Sequence, residues 1–170
     1  MADLRFQVTD LLSHPGLSRE VAGETHLRLD IGETTVDDAV EMVAQLDSIP
    51  EGILVRGEAS TIAQHRCARC LIEWEAPVAA SFAELFARTS RPELADEDQY
   101  LIDHAGFIDL GPLVHDEISL ALPPDPLCRP DCAGLCPTCG ADLNMSPCGG
   151  HGDDASSPFA ALKQLFGFDT

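Results

Sequence analysis

Residues 53–82 read ILVRGEASTIAQHRCARCLIEWEAPVAASF, and this stretch decides the fold. Its first half alternates. Ile53, Val55, Ala59 and Ala63 point one way, and Arg56, Glu58, Gln64 and Arg66 the other, the period-two pattern of a strand with one buried and one solvated face. Its second half repeats the logic, with Ile72, Trp74, Ala76, Val78, Ala80 and Phe82 on one face and Glu73, Glu75 and Ser81 opposite. Between the halves sits Cys67-Ala68-Arg69-Cys70. The simplest reading is an antiparallel pair of strands whose tip is a cysteine knuckle.

Upstream, Leu27, Leu29 and Ile31 alternate with Arg28 and Asp30 and predict a strand. The segment 36–47 fits two patterns. Val36, Val40, Val43 and Leu46 have helical spacing, whereas Val40, Met42, Ala44 and Leu46 alternate with Glu41, Gln45 and Asp47. The short Pro50-Glu51-Gly52 connection to the next strand favours a hairpin, hence a strand. Before residue 35 the pattern is otherwise weak, with a loop at Ser13-His14-Pro15-Gly16.

Downstream, residues 90–99 read as a polar loop and Tyr100-Leu101-Ile102 as a short strand. Asp109 can cap a helix with Pro112 in its first turn and Leu113, Val114, Ile118 and Ala121 at helical spacing; Pro123-Pro124 ends it. Ser157-Pro158 predicts a terminal amphipathic helix using Phe159, Leu162, Leu165 and Phe166. The expected fold is α+β: an antiparallel sheet or partial barrel with one or two packed helices. Residues 1–123 form the main domain, 124–152 a cysteine-rich loop, and 153–170 a helix packing on the same domain.

The loop is too poor in large apolar residues to order itself, and its cysteines supply another means. Cys67 and Cys70, Cys128 and Cys132, and Cys136 and Cys139 are close pairs, and Cys148-Gly149-Gly150-His151 offers a fourth. Seven cysteines and His151 make eight ligands, enough for two four-coordinate zinc sites. Metal binding can order a segment that buries little apolar surface. We favour Cys67, Cys70, Cys128 and Cys132 at one ion and Cys136, Cys139, Cys148 and His151 at the other; the competing grouping joins Cys128, Cys132, Cys136 and Cys139. A redox dithiol at Cys67/Cys70 would want its first cysteine at a helix N-terminus, whereas this pair lies between strands. The remaining histidines, His14, His26, His65, His104 and His115, read as surface residues, with His65 the best spare ligand. No phosphate-cradling glycine loop, nucleophile elbow or His-x-x-x-His pair points to catalysis.

Composition narrows the function. The 170 residues carry 29 acidic against 10 basic side chains, a formal net charge of -19, so the overall field repels nucleic acid. The apolar fraction of 45% supports a core, built on aliphatic residues because aromatics are only 5%. An odd cysteine count without a signal peptide, and no apolar run of about 18 residues, predict a cytoplasmic chain with reduced thiols and no membrane partner.

Several runs together resemble the YceD-like family, the large ribosomal RNA subunit accumulation proteins. They are Glu51-Gly52-Ile53, Cys67-Ala68-Arg69-Cys70-Leu71, Ile108-Asp109-Leu110, Asp116 through Pro123, and Cys128 through Asn144. The resemblance implies a non-enzymatic role in making or stabilising large-subunit ribosomal RNA during assembly. Many members carry Cys-x-Cys where this chain has Cys148-Gly149-Gly150-His151. Under the favoured pairing, Arg66, Arg69 and Arg129 would gather at the metal-bound tips with Arg56 behind them, a basic spot able to touch ribosomal RNA. The rival mechanism is an acidic chaperone for a basic ribosomal protein. A zinc- or thiol-sensing regulator is the alternative of another class.

Overall fold

The computed structural model of the chain describes residues 4–88 and 99–150. The predicted terminal helix, His151 and most of the polar loop at 90–99 lie outside these residues. The elements are β1 (Arg5–Gln7), α1 (Thr9–Leu12), β2 (Ser18–Ile31), β3 (Thr34–Ile49), β4 (Gly52–Arg66), β5 (Glu73–Ala87), β6 (Phe107–Asp109) and α2 (Gly111–Ala121). β2 to β5 form a four-stranded antiparallel meander in sequence order, and β1 pairs with β6 in a separate two-stranded ribbon.

The meander follows from turn chemistry and one-sided burial. β2 and β3 join through the two-residue turn Gly32-Glu33, with Ile31 opposite Thr34. Gly32 takes a φ of +60°, which the first turn position of a two-residue hairpin requires and which costs glycine nothing. Pro50-Glu51 makes the next turn, with Ile49 opposite Gly52. β5 is an edge strand and carries Pro77, which cannot donate to a further strand and so blunts that edge.

The sheet's inner face is the core. Val36, Val40, Met42, Ala44 and Leu46 of β3 face Ile53, Val55, Ala59 and Ala63 of β4, with Val78, Phe82 and Phe86 of β5 beside them. α2 lies across this face against β5, β4 and β2 and buries Leu113, Val114 and Ile118. α1 adds Leu11, and the ribbon adds Ile108. The helix starts one residue later than a cap at Asp109 implies. Leu110 is the N-cap residue, and the Asp109 carboxylate accepts from Gly111 N–H at 2.9 Å. α2 stops before Pro123-Pro124, as expected.

Two expectations need correction. Tyr100–Ile102 is not a strand but a single bridge, Leu101 to Ala87, fixed by Ala87 N–H to Tyr100 O at 2.9 Å and Ile102 N–H to Ala87 O at 3.1 Å. It brings the Tyr100 ring onto Phe86, centroids 5.2 Å apart. His65 is not a surface residue: it is 4% exposed. Its Nδ1 lies 2.9 Å from Thr34 Oγ1, and its ring packs against Trp74 with centroids 5.2 Å apart. Burial lowers its pKa, favouring neutral imidazole.

Phe86 joins the sheet core to the Tyr100 segment and is 1% exposed. Phe86→Ala should destabilise the chain by about 3–5 kcal/mol in urea unfolding. A cost below ~1 kcal/mol would mean that the site collapses without loss.

Candidate metal centres

The first centre is built by the β4–β5 connection. After Arg66 the chain turns through Cys67-Ala68-Arg69-Cys70 and closes with Leu71 N–H to Cys67 O and Cys67 N–H to Ile72 O, each 2.9 Å. Leu71 takes a φ of +61° to make this turn, a conformation that costs a side-chain-bearing residue about 1–2 kcal/mol. The knuckle is tied to the segment after α2. Ala68 N–H donates to Pro126 O at 2.9 Å, Leu135 N–H donates to Arg69 O at 3.0 Å, and Arg69 Nη1 donates to Cys132 O at 2.9 Å. Gly134 lies directly under Arg69, with a φ of +76° and space for a Cβ only at 3.1 Å from the Arg69 carbonyl oxygen.

These bonds bring together the thiols of Cys67, Cys70, Cys128 and Cys132, whose four sulfurs all lie within 4.8 Å of one another. Cys67 and Cys132 are 3.8 Å apart, and Cys70 and Cys128 are 3.6 Å apart. A tetrahedral site with zinc–sulfur bonds of about 2.3 Å places its sulfurs about 3.8 Å apart. These two separations are close to that edge length, and both are far longer than a disulfide bond of about 2.05 Å.

The second centre lies wholly in the following loop. Cys136-Pro137-Thr138-Cys139-Gly140 repeats the knuckle, closed by Gly140 N–H to Cys136 O and Cys136 N–H to Ala141 O, each 2.8 Å. Cys148 completes a group of three thiols within 4.8 Å, its sulfur 3.6 Å from that of Cys136. His151, expected as the fourth donor, lies outside the described residues.

The electrostatics of both groups suit a dication. Burial opposes ionisation of Cys67, yet backbone hydrogen bonds from Cys128, Cys70 and Arg69 bring its pKa down to about 6. Burial and the neighbouring thiols push Cys128 up to about 12. In the second group, backbone bonds from Cys139 and Thr138 bring Cys136 down to about 6; Cys139 accepts a backbone bond from Ala141, yet the neighbouring Cys136 thiol and burial raise it. One thiolate in each group forms easily and discourages the rest. A bound Zn²⁺ removes that repulsion and stabilises every thiolate together. The donor set, spacing and charge therefore fit a structural zinc, which would act as a cross-link.

Asn144 was given no role from sequence, although it ends the Cys128–Asn144 run. Its Oδ1 accepts from Arg129 Nη2 at 2.7 Å and from Ala133 N–H at 2.8 Å, and its Nδ2 reaches the Cys132 sulfur at 3.6 Å. It holds a thiol of the first centre in place from within the loop of the second, as hydrogen-bond partners of metal ligands do.

The arginines do not form a free basic cluster. Arg56 is paired with Asp47 at 2.6 Å, and Arg66 with Glu33 at 2.5 Å, whose carboxyl that hydrogen bond holds below the usual range. Arg129 lies 3.4 Å from Asp131, and Arg69 donates from Nη1 to the Cys132 carbonyl.

Residues 55–166 match the model of one family, described as large ribosomal RNA subunit accumulation protein YceD. That span holds every cysteine of both centres and exceeds half the chain. The chain belongs to the YceD family. An uncharacterized protein of Mycobacterium tuberculosis is 35% identical over 164 residues, covering 90% of this chain and 76% of its own length. One from Mycobacterium leprae is 28% identical over 162 residues, covering 92% and 74% respectively. No solved structure matches this YceD-family chain. Among its described residues no helix is long and apolar enough to cross a membrane.

Proposed function

We propose that this chain is a zinc-stabilised, non-enzymatic factor for the accumulation of large-subunit ribosomal RNA, acting in the cytoplasm during subunit assembly, and that it works by holding a basic ribosomal protein rather than by gripping RNA. The family description carries the ribosomal part of this reading. One observation carries the choice of partner: of the four candidate arginines, Arg56, Arg66 and Arg129 are matched by carboxylates, and Arg69 is a structural tie. Little cationic surface is left for phosphate on a body of net charge -19. A four-thiolate zinc site would add a further charge of about -2.

The thiol-sensing alternative has Cys139 in its favour, an exposed thiol open to oxidants. Against it, Cys67, Cys132 and Cys136 are buried, as structural ligands are.

The test is a titration of the zinc-loaded chain against naked large-subunit ribosomal RNA and against purified basic large-subunit proteins, each over a salt series. RNA binding should be weak with a shallow salt slope, because the slope scales with the phosphates neutralised. A basic protein should bind more firmly. Tight, steeply salt-dependent binding to naked RNA, with no basic protein bound, would replace this mechanism with direct RNA contact.

A further inference from the structure

We propose that the outer face of the four-stranded sheet is the surface on which a basic protein segment docks, an inference that rests on the basic-partner reading above. α2 and the β1–β6 ribbon contribute to the inner core, whereas the outward side chains of β2 to β5 stand in solvent. Strand register sorts these side chains into rows, and across the rows carboxylates outnumber arginines.

Glu24 of β2 stands directly opposite Glu41 of β3. Glu58 of β4 stands opposite Val43, one step diagonally from Glu41. None of the three glutamates has an ion pair among the described residues. Like charges directly opposed across a ladder weaken a sheet, so stability alone does not favour this arrangement. A cationic partner laid across the face removes the repulsion.

The same face carries apolar surface suited to the stems of basic side chains. Val43 is 53% exposed beside the glutamates, and Ile62 is 43% exposed two residues beyond Ser60. Lysine and arginine lay their methylenes along such patches while their charged heads reach neighbouring carboxylates. Toward the knuckle, the row Asp30–Thr35–Gln64–Glu75 takes one residue from each strand. It lines a cleft of about 440 Å³ that Glu73 also borders. The arginine lining this cleft, Arg66, is already bound to Glu33. Arg28, the face's one arginine without an ion pair among the described residues, stands opposite Asp37.

Charge selects the occupant. Phosphate would meet an excess of carboxylates over the arginines Arg28, Arg56 and Arg66, and a second copy would bring a face of the same sign. A segment rich in lysine or arginine complements both the acids and the exposed aliphatic side chains.

The experiment titrates the full zinc-loaded chain against a fluorescent peptide of alternating arginine and alanine, alongside the triple variant Glu24→Gln, Glu41→Gln, Glu58→Gln. The variant should bind about tenfold more weakly, with a shallower salt dependence, since each exposed pair contributes modestly. Its zinc content should be unchanged and its melting temperature equal or higher, because like-charge repulsion is gone. Neutralising Glu117, on α2 at the inner side of the sheet, should leave binding unchanged. A triple variant that binds as the wild type does, or a Glu117→Gln control that loses as much, overturns the surface and leaves the basic-partner reading standing. A wild-type chain that binds neither the peptide nor any basic ribosomal protein overturns that reading and the surface with it. Self-association in light scattering that the triple variant abolishes, or ribosomal RNA footprinting to these glutamates, also overturns the proposal.

Discussion

Metal analysis of protein purified in reducing buffer without chelator is expected to return two zinc ions per chain, and a strong chelator is expected to remove them in sequence. The second centre should empty first. It lies within one loop and holds one buried thiol, Cys136. The first holds two buried thiols, Cys67 and Cys132, and joins segments distant in the chain. Structural zinc contributes about 10–16 kcal/mol in small peptides that are unfolded without it. Here the sheet has its own core, so much of the metal's effect is local. Stripping the first ion should release the 126–135 segment from the knuckle and unprotect the Ala68 and Leu135 amides to hydrogen exchange. Amides within β3 and β4 should keep their protection. Because thiolate ligands compete with protons, acidification should release zinc as the chelator does. Zinc-free protein with an unaltered melt would defeat the structural-metal reading. One ion per chain would keep the four-thiol centre and remove the second.

The uneven legibility of this chain has physical causes. β4 and β5 were readable because one face is buried and the other wet, so polarity changes at every residue. β3 was ambiguous because Val43 completes a helical set with Val36, Val40 and Leu46. The structure leaves Val43 53% exposed and buries Met42 and Ala44 instead, so an outward aliphatic residue had imitated a helix. The first half of β2 was invisible, since its inward positions Arg19, Val21, Gly23 and Thr25 are only half-buried and mostly not large apolar residues. His65 was misread although the signal was present: it has the same parity in β4 as Ile53, Val55 and Ala63. At the site, close cysteine spacing is local information and survives without a structure. The pairing of Arg66 with Glu33 and of Arg56 with Asp47 is not local, because only strand register brings those residues together. Counting arginines along the sequence therefore does not reveal their partners.

That difference between local and long-range contacts sets the relative cost of losing single ligands. Cys67→Ser should destabilise the chain by about 3–5 kcal/mol, as losing a structural metal does, which for this length lowers the melting temperature by roughly 10 °C or more. Cys148→Ser should cost about 1 kcal/mol or less, because it loosens a loop that supports no other element. The contrast follows from what each thiol joins. Cys67 faces Cys132 across 65 positions of sequence, between the sheet and the segment after α2, whereas Cys148 meets Cys136 from 12 positions away. Cys67 is fully buried, so part of its cost could come from packing alone. Cys70→Ser separates the two contributions, because Cys70 is only partly buried and shares the same four-thiol group. It should lose zinc from the first centre and approach the Cys67→Ser melting temperature. If Cys70→Ser melts like wild type while Cys67→Ser falls, the effect is packing and the first centre holds no metal. If Cys148→Ser is the most damaging of the three, the ligands are grouped differently, and the stabilising cross-link lies in the loop.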